Sequence, residues 1–167
     1  MIGKLKIMPP KRPKGGKPWE AFPVFTEVIV RWRDLDPYQH VNNSVYLNYF
    51  EEARVIYFSK LSNYKNFSRK DGTLTTTLVR ASLEYRSQAF LSQKLVSAVR
   101  IAAIRRSFID TEYSIFDKKN GTIIATGTAT QIVVDREKFK PRRPPIEFIQ
   151  EIEKFEGRNL TVVSGSI

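Results

Sequence analysis

A single change of hydrophobic period limits what this chain can fold into: one run with helical spacing is followed by four runs that alternate. Between Asn43 and Leu61 apolar residues recur at Tyr46, Tyr49, Phe50, Ala53, Ile56, Tyr57 and Leu61. That spacing gathers them on one broad stripe and leaves Glu51, Glu52, Ser59 and Lys60 off it, which predicts one long helix. Asn42 and Asn43 are good N-caps for it, and the polar run NYKNFSRKDG ends it as a loop. After Gly72 come TLTTTLVRASLEYRS, KLVSAVRIAAIRRS, FIDTEYSIFD and TIIATGTATQIVVD, all rich in β-branched and aromatic residues. A further strand is expected from Val24 to Trp32. DKKNG, ending at Gly121, reads as a tight hairpin turn with Asn120 and Gly121 suited to positive φ. In the last strand Ala125, Gly127 and Ala129 share a face small enough for the helix or a slender ligand to approach closely. A short amphipathic helix from Ile146 to Phe155 is entered through Pro144 and Pro145. The order predicts an α+β fold in which a long central helix is wrapped by a curved antiparallel five-stranded sheet.

With 167 residues the chain is expected to form one domain with one core. It has no cysteine and one histidine, which excludes disulfides, thiolate chemistry and a histidine-rich metal centre. No apolar run suggests a signal h-region or a membrane span, so a cytoplasmic protein is expected. Six of the charges behind a net +11 precede the first acid, Glu20. This Lys/Pro/Gly segment, residues 1–20, is expected to be a disordered basic arm, before a main domain over 21–140 and a C-terminal extension with its helix over 141–167. Arg136, Lys138, Lys140, Arg142 and Arg143 form a second basic patch. Such patches attract phosphates and acidic proteins at long range, or serve solubility alone.

Chemistry concentrates in RWRDLDPYQHVNNSVYLNYFEEAR, from Arg31 to Arg54. Asp34, Asp36 and His40 lie between a strand and a helix start, where free N–H groups stabilise negative charge developing on a substrate oxygen. Asp34, two residues before Asp36, reads as structural, bonding the loop backbone or pairing with Arg31 or Arg33.

The pattern D-x-D-x-x-x-H-V-N-N-x-x-Y, with E-A-R following on the helix, resembles the hotdog-fold acyl thioesterases of the 4-hydroxybenzoyl-CoA thioesterase type. Its DLDxxQHVNN wording is also similar to plant acyl-ACP thioesterases. The resemblance runs from about Val24 to Val134. It implies a hotdog fold and hydrolysis of acyl-CoA, or of acyl-ACP, without a cofactor or metal. Asp36 would be general base or nucleophile, His40 would hold water or polarise the carbonyl, and the Asn43 N–H would meet the thioester oxygen. Tyr38, Asn42, Tyr46, Glu84 and Arg86 would line the substrate. A homodimer or homotetramer is implied, since hotdog proteins pair their open sheet edges, and Arg80, Arg86 or Arg105 could reach the nucleotide from the other protomer. Two departures stand out: the plant pattern has asparagine at Tyr38, and the 4-hydroxybenzoyl-CoA type has an apolar residue at His40.

Each residue also has a plainer reading. Asp36 could stabilise the turn with Pro37, His40 could be a core histidine, Asn42 and Asn43 could only cap, and Glu84 could pair with Arg80 or Arg86. Rival functions are a hotdog hydratase or dehydratase, and a module that sequesters acyl-CoA. Nucleic-acid binding is not expected, because no aromatic residues interleave the basic arm to stack on bases. No G-x-S-x-G elbow supports serine-hydrolase chemistry.

Overall fold

The structure, a computed structural model, describes residues 15–64 and 73–160. The elements are β1 (Val24–Ile29), α1 (Val45–Ser59), β2 (Leu74–Tyr85), β3 (Lys94–Arg105), β4 (Phe108–Asp117), β5 (Ile123–Asp135) and α2 (Ile146–Glu156). The strands form one five-stranded sheet in the order β1-β3-β4-β5-β2, every pair antiparallel. Alternation after Gly72 thus became four consecutive strands, and β1 and β2 are left as the edges. This is the hotdog architecture.

The α1 stripe buries Tyr46, Tyr49, Phe50, Ala53, Tyr57 and Phe58 against the sheet face carrying Val99, Ile101, Ile109, Ile115, Ala125 and Val133. Phe50 stacks on Tyr113 of β4 with ring centroids 4.7 Å apart. The Ser97 hydroxyl donates to the Tyr49 carbonyl at 3.0 Å inside the core and fixes α1 lengthwise on β3.

Two boundaries and one turn differ from the sequence expectation for identifiable reasons. α1 opens at Val45, because the Asn42 side chain accepts from the Ser44 N–H at 2.9 Å and the Ser44 hydroxyl at 2.8 Å. Asn42 therefore closes an Asx turn before the helix rather than capping it. β1 stops at Ile29, short of Trp32, because Asp34 accepts from the Arg31 N–H at 2.8 Å and closes a short 3-10 turn over Trp32–Asp34. In the hairpin only Gly121 takes positive φ, at 75°; Asn120 uses its side chain to accept from the Thr122 N–H at 2.9 Å.

Of the expected arm, residues 1–14 lie outside the described residues, as do 65–72 of the loop after α1. Pro18–Ala21 form a 3-10 turn whose Trp19 is buried, packing 6.0 Å from Phe116 on the sheet face away from α1. α2 joins the main core through Phe148, Ile149 and Ile152, and the Tyr57 hydroxyl donates to Glu156 at 2.8 Å. The segment after Lys140 is thus tied to the same core as the sheet. Among the described residues no helix is long and apolar enough to cross a membrane.

Candidate active site

The segment from Asp34 to Asn43 is held by its own backbone. The Asp36 N–H donates to His40 O at 3.0 Å and the Gln39 N–H to Asp36 O at 2.9 Å. This tight turn requires a left-handed Gln39, φ 65°. The Val41 N–H donates to Ala89 O and the Asn42 N–H to Asp34 O, both at 2.9 Å, so the segment is stapled to the β2–β3 connection on one side and the 3-10 turn on the other. Anchoring on both sides restrains the loop that carries Asp36 and His40.

Asp36 has both oxygens engaged. Oδ1 accepts from the Tyr38 N–H at 2.9 Å, while Oδ2 stands 3.1 Å from His40 Nδ1. Their side chains are 15% and 23% exposed, so the pair is shielded but reachable by water. The Tyr38 ring, itself largely exposed, stacks beside the His40 ring at 6.0 Å with a 20° tilt. Asp34 points the other way and accepts from the Tyr49 hydroxyl at 3.0 Å. Burial, then this contact with Asp34, pushes the Tyr49 phenol well above its ordinary range.

Asn43 lies two residues before α1. Its carbonyl accepts from the Tyr85 hydroxyl at 2.9 Å, while its N–H makes no hydrogen bond among the described residues. A free N–H there adds to the partial positive charge of the helix start. Around it opens a pocket of about 280 Å³ lined by His40, Val41, Asn43, Tyr46, Tyr85 and Arg86, among others. Tyr46 is buried beneath it, edge-on to Tyr85 at 5.5 Å. Burial pushes its phenol up to about 12, against the pull of the Ala89 N–H.

The structure therefore brings His40, Asn43, Tyr46 and Arg86 to one pocket with Asp36 bonded to His40. It does not bring every expected residue there. Asn42 turns its side chain to Ser44, and Glu84 pairs with Arg86 on the edge strand, both more than half exposed. Arg105 is held by Asp110 through two hydrogen bonds, at 2.7 and 2.9 Å. Tyr85 was missed, although it stands between Glu84 and Arg86; its place as the last residue of an alternating strand was the available signal. Among the described residues no group of three or more His, Asp or Glu side chains is placed to hold a metal.

The fold is that of a hotdog protein. The chain matches the thioesterase-like superfamily over residues 30–152, reaching past Lys140 into α2, and it belongs to that family as a thioester hydrolase. It is 28% identical over 120 residues to an uncharacterised protein, YsmA, of Bacillus subtilis, covering 72% of this chain and 78% of that one. It is 29% identical over 111 residues to the long-chain acyl-CoA thioesterase FadM of Escherichia coli, covering 66% and 82% respectively. A crystal structure of a Thermus thermophilus thioesterase complexed with coenzyme A and zinc superposes with TM-score 0.70 at 31% identity, covering 82% of this chain and 96% of that one.

Proposed function

We propose that the protein hydrolyses acyl-CoA thioesters at the pocket beside Asn43. The observation that carries this is the Asp36–His40 contact of 3.1 Å, adjoining a pocket that also holds the Asn43 N–H, unpaired among the described residues. The thioester carbonyl oxygen points at that N–H, which withdraws electron density from the carbonyl carbon. A donor of this kind is worth about 10²-fold or more in rate. Asp36 takes a proton from a water held by His40, the water oxygen bonds to the carbonyl carbon, and the C–S bond breaks. Alternatively Asp36 attacks directly and water hydrolyses the resulting anhydride. In both routes the sulfur leaves as a thiolate, a good leaving group with a reference pKa of about 8.5, so a strong general acid is unnecessary.

Within the superfamily the loop aspartate aligns the chemistry with the 4-hydroxybenzoyl-CoA thioesterase type, while His40 follows the plant acyl-ACP wording. Coenzyme A is favoured as the carrier by the Thermus relative's complex and by the acyl-CoA activity of FadM. Arg86, just past the end of β2, lines the pocket and would exchange its exposed partner Glu84 for the phosphates. We further propose that two copies pair along β2, whose Leu78, Val79 and Tyr85 are about half exposed, and that the second copy completes the site.

Thiol release from a panel of aryl, short-chain and long-chain acyl-CoAs, run beside acyl-ACPs, tests the reading. Turnover of at least one acyl-CoA is expected. Turnover confined to acyl-ACP would overturn the choice of carrier, and no thiol release from either would overturn the activity.

A further inference from the structure

A second cavity, about 420 Å³, opens along the same flank of the molecule under the C-terminal half of α1. Arg54, Val55 and Phe58 roof it, Leu78 forms a wall, and Gln131 reaches it from β5. Gln131 is out of keeping with its row. It follows Ala125, Gly127 and Ala129 on the helix-facing side of β5, it is 3% exposed, and among the described residues neither its Nε2 nor its Oε1 has a hydrogen-bond partner. One strand over, the buried Tyr113 hydroxyl lies outside the cavity lining, near Thr111 and Arg54. Buried polar groups are nearly always paired, so an unpartnered amide facing this cavity points to a ligand that pairs it.

The cavity is aligned with the reaction pocket. β2 lines both, with Tyr85 at the first and Leu78 at the second, and α1 runs between them. From Val45 to Arg54 α1 rises about 14 Å at 1.5 Å per residue. A long acyl chain whose carbonyl sits at Asn43 would bring its distal carbons beneath Arg54. Val55, Phe58 and Leu78 suit its methylenes, but Gln131 does not suit a bare methyl end.

We infer that this cavity recognises an oxygen, as hydroxyl or oxo, on the distal part of a long acyl chain, with the Gln131 amide as its hydrogen-bonding partner. The inference rests on the acyl-CoA reading above. The Gln131 amide offers both a donor and an acceptor, which matches a hydroxyl. A terminal carboxylate fits less well, because Glu51 already occupies Arg54 at 2.6 Å and would repel a second anion.

The test compares hexadecanoyl-CoA with a series of analogues hydroxylated at successive distal carbons, as substrates of the wild type, Gln131→Leu and Tyr113→Phe. At least one hydroxylated substrate should have a kcat/KM about tenfold higher in the wild type, the yield of one neutral hydrogen bond. Gln131→Leu should abolish that preference while keeping turnover of the plain chain, and Tyr113→Phe, whose hydroxyl lies outside the cavity lining, should keep it. Equal kcat/KM across the series in the wild type, or a preference untouched in Gln131→Leu, would overturn the inference and leave the acyl-CoA activity standing. If no acyl-CoA is turned over, the activity reading fails instead. Calorimetry with the free hydroxy acid and plain acid then decides separately, and tighter binding of the hydroxy acid lost in Gln131→Leu supports the cavity's role.

Discussion

The ring of Phe50 on α1 lies so close to Gly127 on β5 that a Cβ at Gly127 would stand 2.5 Å from Phe50 Cε2 and 2.7 Å from the Ser82 carbonyl oxygen. This contact sets how deeply the helix settles into the sheet, and it lets Phe50 stack on Tyr113. The glycine is needed for its missing side chain, because its φ lies outside the left-handed region.

Gly127→Ala should therefore destabilise the fold. The Phe50 ring can tilt, but Ser82 O belongs to the backbone of the paired strand and cannot give way without moving β2. A loss of about 1–3 kcal/mol is expected for such overpacking, with Gly127→Val worse, read as a fall in the urea midpoint. A midpoint equal to wild type would mean that the helix does not seat on this strand as described.

Asp36→Asn keeps an oxygen to accept the Tyr38 N–H, so the turn should survive while the group that takes a proton is lost. A drop in kcat of about 10²- to 10⁴-fold is expected for a removed general base, with the thermal midpoint nearly unchanged. His40→Ala should cost less, about ten- to a thousandfold. If His40→Ala changes only the melting temperature, the histidine is a packing residue and Asp36 works without it.

The fold was legible because its signals are local: period alone located the four strands after Gly72 and the α1 stripe. The strand-to-helix segment holding Asp36, His40 and Asn43 was likewise legible, since its residue types and the helix start are adjacent in sequence. What escaped the sequence depends on contacts between distant positions. Tyr85 reaches Asn43 across 42 residues, and Gln131 is notable only once its face of β5 is known to meet α1. The Asn42 expectation failed for a different reason: an asparagine before a helix can accept from a first-turn N–H or close a turn one step earlier, and the local sequence serves both.

Trp19 separates the basic arm into parts with different expected behaviour. Removing residues 1–14 takes away five cations and should leave kcat and thermal stability unchanged. It should raise KM modestly at low ionic strength and hardly at all in 1 M salt, where charges are screened within about 3 Å. Trp19→Ala instead removes a buried ring from Phe116 and should cost about 3–5 kcal/mol, as large aromatic truncations do. If Trp19→Ala melts with the wild type, the Pro18–Ala21 turn does not contribute to the core.

Glu156 gives the fold a pH dependence of known sign. Its side chain is 2% exposed, and Oε1 accepts from the Tyr57 hydroxyl at 2.8 Å and the Ile101 N–H at 2.6 Å. Burial raises its pKa above the ordinary 4.5, outweighing the opposing pull of the Ile101 N–H, Tyr57, Arg158 and Arg100. A carboxyl raised in the folded state favours folding in its protonated form, so its contribution is fully present below about 4.5, the unfolded value. It is lost as pH climbs from there through the raised folded value, because the unfolded chain ionises first. Each unit of the shift is worth about 1.4 kcal/mol. Glu156→Gln retains an oxygen for Tyr57 and Ile101 but cannot ionise. The stability of this variant relative to wild type should therefore grow as pH rises through that window and flatten above it, read as the difference in urea midpoints at each pH. Midpoint curves that stay parallel from acid to neutral pH would mean that Glu156 titrates alike in the folded and unfolded chains.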